Sequence, residues 1–219
     1  MQKLIKNLAI WGAVFVIIFG TLLHFFYDWS GHNFLVGFLA PINESVWEHM
    51  KLVFTPMILF AFIDYYYLRG KVDDYCFALL KQISFAIIFI IAVFYIYTSF
   101  VGHSVLAIDI SSFIVAVILA KWFGYAILTK RFKQWEFKGI NTVAAIVLVA
   151  LAAFFVLATI NPPQIGLFKD PVDNTYGTDK NSNIMPGSDR DSHGCIGSAG
   201  YTWCESKSKC LRTWEETCQ

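Results

Sequence analysis

The chain has 219 residues, of which 57% are hydrophobic, 17% aromatic and only 15% charged, with a formal net charge of +1. The charged share lies well below the ~25% of soluble domains, mean hydropathy is +0.55, and the apolar residues gather in runs near the ~20 residues that cross a bilayer core. This pattern argues against a soluble globule, and the lack of a basic patch interleaved with aromatics argues against nucleic acid as a partner.

Five spans are predicted, at about 8–27, 46–68, 76–100, 105–128 and 141–160. Each is expected to be helical, because lipid offers no water to backbone N–H and C=O groups. The fold class is therefore all-α, a polytopic transmembrane bundle. Pro56 lies inside the second span and is expected to kink it. The piece "NFLVGFLA", 33–40, is too short to cross and is expected to lie in the interface or dip back. Asp64 is read as snorkelling or pairing with Arg69, and Lys121 as snorkelling toward the cytoplasm.

Lys3 and Lys6 precede the first span, Arg69 and Lys71 follow the second, and Lys130, Arg131, Lys133 and Lys138 fill the loop after the fourth. The loops 28–45 and 101–104 hold no Lys or Arg. Basic loops stay inside, so the reading is a plasma-membrane protein with a cytoplasmic N-terminus and an extracytoplasmic C-terminus. Residues 161–188 are polar and turn-rich and read as an extended linker. Residues 189–219 form a cysteine-rich module.

Cys195, Cys204, Cys210 and Cys218 lie in that module, on the side the charge rule makes oxidising. They are read as two disulfides with three possible pairings, and their spacing lacks the C-x2–4-C knuckle of zinc sites. A module this small needs crosslinks in place of a large core, with Tyr201, Trp203 and Trp214 as a miniature one. Cys76 is read as a reduced structural thiol. Asp189-x-Asp191-x-x-Gly194 resembles the start of a calcium loop but lacks the Glu at its twelfth position, so it is rejected.

The stretch "APINESVWEHMK", 40–51, is dense in polar groups among apolar runs. Its structural explanation is a helix start. Ser45 and Glu48 form a capping box, Glu44 favours the positive end of the helix dipole, Glu48 pairs with Lys51, and Asn43 caps one register earlier. The functional explanation is an outward-facing polar site. His24 and Asp28 share a helical face, with Asp28 orienting His24, and His103 and Asp109 lie at the same level. The candidate site is thus His24, Asp28, Asn43, Glu44, Ser45, Glu48, His49, His103 and Asp109. Within it, His24, Glu44, Glu48, His49 and His103 are candidate ligands for a divalent metal such as zinc. A metal there would suit a membrane hydrolase. A small-solute transporter using Asp64 and Asp109, and an interaction protein whose exported tail meets a partner, are the alternative readings.

The segment "GTLLHFFYDWSGHNFLVGFLAPINESVWEHMKLVFTP", 20–56, resembles the signature region of a prokaryotic membrane-protein family of unknown function (domain of unknown function 6512). The resemblance runs through the spans to "NPPQIGLFKDPVDNTYG", 161–177. It implies a small polytopic membrane protein and carries no activity. The tail "GSDRDSHGCIGSAGYTWCESKSKCLRTWEETC" resembles a small cysteine-rich module at the ends of exported bacterial and archaeal proteins.

Overall fold

The computed structural model describes residues 1–131, 139–171, 174–178, 193–195, 201–212 and 216–218. It divides into two compact units, Met1–Thr178 and Asp179–Gln219. Among the described residues of the first unit, five helical stretches are long and apolar enough to cross a membrane. They are α1 (Gln2–Leu23), the joined pair α4 (Val46–His49) and α5 (Lys51–Leu68), α6 (Tyr75–Val101), α7 (Leu106–Leu128) and α8 (Ile140–Ile160). Two single-turn helices, α2 (Phe26–Trp29) and α3 (Phe34–Gly37), fill the first loop. The observed ends differ from the expected spans mainly in the first. That helix begins at Gln2 and stops at Leu23, because Lys3 and Lys6 are tolerated in its opening turn and the chain bends at His24–Phe25.

The second span is the centre of the bundle. Its most apolar window is 61% buried, against 28% in each of the other four. α5 packs on α1 and α6, and α1 and α6 each pack on α7. Phe54 of α5 also meets Phe155 of α8, with ring centroids 4.6 Å apart. Helix α5 runs through Pro56. Proline has no N–H, so Leu52 O, four residues back, loses its helical donor. Gly20 of α1 sits against that carbonyl, so close that an added Cβ would lie 2.5 Å from Leu52 O. The bare glycine permits the approach, which a larger residue would block.

Lys51, fully buried, ties four segments together. Its ammonium donates to Glu48 Oε2 at 2.5 Å, to Gly37 O at 2.8 Å and to Thr159 Oγ1 of α8 at 2.7 Å. Three N–H groups thus meet three acceptors, which is the condition for a charge to stay buried. Thr55 Oγ1 donates to Leu39 O at 2.7 Å, so the carbonyls at the end of α3 find partners from α5. The short 33–40 piece is therefore held by the second span, while Phe34, Leu35 and Leu39 point outward.

A second buried pair lies at the opposite end of the bundle. Lys121 Nζ is 3.8 Å from Asp64 Oδ2 and 5.1 Å from the Phe60 ring centroid, and Tyr75 OH donates to Asp64 Oδ2 at 3.3 Å. This corrects the sequence expectation for both residues. Snorkelling needs a route to the headgroups, but Lys121 faces α1. Gly12 leaves it room there, since a Cβ at Gly12 would come 2.9 Å from Lys121 Nζ. Arg69 lies over the Tyr66 ring and does not pair with Asp64.

The expected linker also divides differently. Residues 161–178 belong to the first unit. Phe168 is buried, with its ring centroid 4.9 Å from Trp47, which itself stacks on Phe155 at 4.6 Å. A one-residue bridge pairs Lys169 with Tyr176. A polar, turn-rich composition masked this folding-back, because among the described residues Phe168 is buried and only Leu167 and Tyr176 add partly buried apolar surface to the core there.

In the second unit, β1 (Thr202–Cys204) and β2 (Lys209–Leu211) form an antiparallel hairpin in which Trp203 faces Cys210. Disulfides join Cys195 to Cys210 and Cys204 to Cys218. Each closes a short loop, worth roughly 3 kcal/mol in the chain-entropy account. The His193 ring stacks on Trp203 with centroids 4.5 Å apart, and Arg212 lies over Tyr201. Asp189, Asp191, Trp214, Lys133 and Lys138 lie outside the described residues. Cys76 is a free thiol.

Replacing Lys51 by Met strands the Glu48 carboxylate, and breaking a buried pair from one side costs about 3–5 kcal/mol. Unfolding of detergent-purified protein is expected to show that loss for Lys51→Met and a partial recovery for Lys51→Met with Glu48→Gln. A Lys51→Met protein within ~0.5 kcal/mol of wild type would contradict the role given to the ammonium.

Candidate metal centre

The site is built where α1 ends and α4 begins. Ser45 caps α4, its hydroxyl accepting from Glu48 N at 3.3 Å. The reciprocal arm of the capping box is absent. Glu48 reaches back to Ile42 N at 3.0 Å, while Asn43 Oδ1 takes the Ser45 N–H at 3.0 Å in an Asx-turn. These bonds fix 42–45 as a tight turn and leave the Glu44 side chain half-exposed beside α1.

The folded-back segment holds the same turn from the other side. Glu44 N donates to Asp170 Oδ2 at 3.0 Å, and Asn43 Nδ2 donates to Gly177 O at 3.5 Å. Asp170 is buried. It was not among the residues read from the sequence, where it appears only as one carboxylate in a polar, turn-rich run.

Three side chains converge. His49 Nε2 lies 3.3 Å from His24 Nε2 and 3.4 Å from Glu44 Oε2, and His24 Nε2 lies 3.9 Å from Glu44 Oε1. One ligand atom from each of the three falls within 4.8 Å of the others. Ligands bonded at ~2.0–2.1 Å around a tetrahedral zinc stand about 3.4 Å apart; both distances from His49 Nε2 match that spacing, while His24 Nε2 is 3.9 Å from the other Glu44 oxygen and would have to move closer. His49 Nδ1 is 2.9 Å from Ser45 O. A carbonyl only accepts, so Nδ1 carries a proton, and the neutral ring then presents a bare Nε2 to the cluster. Two imidazole nitrogens and a carboxylate facing one another are reconciled by a ring N–H of His24 or of a protonated His49, or by a metal ion among them. When His49 is protonated at both ring nitrogens, its Nε2–H donates to Glu44 and holds that carboxyl below the ordinary carboxylate range; burial opposes this, and the charges of His49 and His24 add to it.

The other residues expected at the site separate from these three. Asp28 pairs with His32, Oδ1 to Nε2 at 3.2 Å, and so does not orient His24. One helical turn links His24 to Asp28 only if α1 continues, and it stops at Leu23. Glu48 is claimed by Lys51 and Ile42 N. His103 lies exposed in the turn after α6 and is not part of the convergent group among the described residues. Asp109 accepts from Tyr97 OH at 2.6 Å and acts on His49 only as a nearby charge. Ser45 and Asn43 shape the turn.

The fold and the site together define a helical protein with five candidate membrane spans and a His–Glu–His cluster at one end of the bundle. The chain belongs to the family of unknown function DUF6512, whose model matches residues 1–178 and so ends with the first compact unit. No curated protein and no solved structure matches it.

Proposed function

We propose that this is a multi-pass plasma-membrane protein, cytoplasmic at its N-terminus, that binds a divalent metal ion at its extracytoplasmic end through His24, Glu44 and His49. Zinc is the ion the donor set suits best, because two imidazoles and one carboxylate are its habitual catalytic ligands. The convergence of His24 Nε2, His49 Nε2 and the Glu44 carboxylate carries the reading. Three protein ligands leave a fourth tetrahedral position open to a water or a small ligand. A water on such an ion ionises near neutral pH, the chemistry of a metal-dependent hydrolase. The side chains of all three ligands are 28–48% exposed, so a substrate reaches the centre from the aqueous edge. The cation-free loops on this side, and the disulfides of the C-terminal unit, support its extracytoplasmic placement.

Zinc titration of detergent-purified, chelator-stripped protein is expected to show one ion per chain. Affinity should fall about 10²-fold or more in His24→Ala and His49→Ala, and ~10–100-fold in Asp170→Ala, whose carboxylate meets Glu44 at its backbone and not at its ligand atoms. His103→Ala should bind as wild type does. Equal affinity in wild type and His49→Ala would contradict the centre. Sidedness is checked separately. A reporter active only outside the cytoplasm, fused after Gln219, should be active, and activity of a cytoplasmic reporter there would reverse the placement.

A further inference from the structure

At the end of the bundle away from the His–Glu–His cluster, α1 and α7 leave a groove of about 380 Å³ between them. Its shape follows from the sequence. Ala9 and Ala13, one helical turn apart on α1, lack the bulk to fill the space. Ile10 on α1 and Ile118 and Trp122 on α7 line it with apolar surface and are about half exposed. One end of the groove is cationic. Lys6 sits in the opening turns of α1 and Arg131 just beyond the C-terminus of α7, so both come to the same mouth. The Arg131 guanidinium is held there by Tyr125, donating to its hydroxyl at 3.3 Å and lying 5.0 Å from its ring centroid. Lys121, a third cation, lines the groove as well and is matched by the carboxylate of Asp64.

An apolar furrow opening on two cations that Asp64 does not neutralise is complementary to one kind of molecule, an acyl chain ending in an anionic phosphate. We propose that this groove is a binding site for one anionic phospholipid of the phosphatidylglycerol type, its chain lying along Ala9 and Ala13 and its phosphate between Lys6 and Arg131. A zwitterionic lipid would bring its own ammonium to the same cations and gains less. A free phosphate would use the mouth and leave the furrow unused. The proposal rests on the bilayer reading above and is independent of the metal centre.

The test uses the full chain in nanodiscs of phosphatidylcholine with a minor share of phosphatidylglycerol, and native mass spectrometry counts the lipids retained. A juxtamembrane cation is worth about 1 kcal/mol toward anionic lipid, which is roughly a fivefold change in occupancy. Phosphatidylglycerol should be retained above its share of the disc, and Lys6→Gln and Arg131→Gln should each lower that retention about fivefold. Ala9→Phe, which fills the furrow and leaves every charge in place, should abolish it. Lys71→Gln, at the same end but outside the groove, should leave it unchanged. Equal losses in Lys6→Gln and Lys71→Gln would reduce the effect to general surface attraction and overturn the site. Displacement of the lipid by inorganic phosphate, with Ala9→Phe binding phosphate as wild type does, would overturn the lipid in favour of a free anion. A chain that enters the discs without any enrichment contradicts this proposal alone. A chain that never enters them contradicts the bilayer reading too.

Discussion

A single buried ammonium organises the half of the bundle that holds the candidate metal centre. Lys51 draws Glu48 inward, caps Gly37 O and bonds Thr159, so the first loop, α4, α5 and α8 meet at one point. Such a charge is tolerable only when every donor is satisfied, and that makes the arrangement specific in register as well as stable. The junction of α4 and α5 at Met50 belongs to the same arrangement. Met50 keeps helical dihedrals, so α4 runs on into α5 and consecutive residues there point about 100° apart. Glu48 and His49, adjacent in the chain, then point to different places, one into the protein and one toward α1.

The candidate centre depends on that divergence. With Glu48 engaged by Lys51, Glu44 is the carboxylate left facing His24 and His49. Its position is set from behind by Asp170, whose carboxylate accepts the Glu44 backbone N–H. Residues 161–178 therefore act as a buttress, seated by Phe168 against Trp47. A site held this way has its backbone fixed by buried bonds while its ligand atoms face solvent, the combination a metal centre with an open position requires.

Much of the architecture is legible in the sequence, because five apolar runs separated by polar turns leave few alternatives in a bilayer. The disulfides were also readable as a pair, though not their partners, since spacing alone permits three pairings. The site was legible only as a neighbourhood. Sequence position groups His24, Glu44 and His49 with Asp28, Asn43, Ser45, Glu48, His103 and Asp109. What separates them is tertiary: α1 stops before Asp28 can share a face with His24, and a lysine three residues on claims Glu48. Asp170 left no periodic or spacing signal at all. The Asp64–Lys121 pair was hidden for another reason. Its partners are far apart in sequence, and only Gly12, a small residue where an apolar one would serve, marks the space that Lys121 occupies.

The most direct measurement is zinc-edge X-ray absorption on the loaded, detergent-purified protein. The account predicts a four-coordinate ion with nitrogen and oxygen neighbours at ~2.0–2.1 Å and the outer-shell scattering of two imidazole rings. The ring scattering should fall to that of one ring in His24→Ala. A spectrum with oxygen neighbours alone, or one that is identical in wild type and His24→Ala, would contradict it.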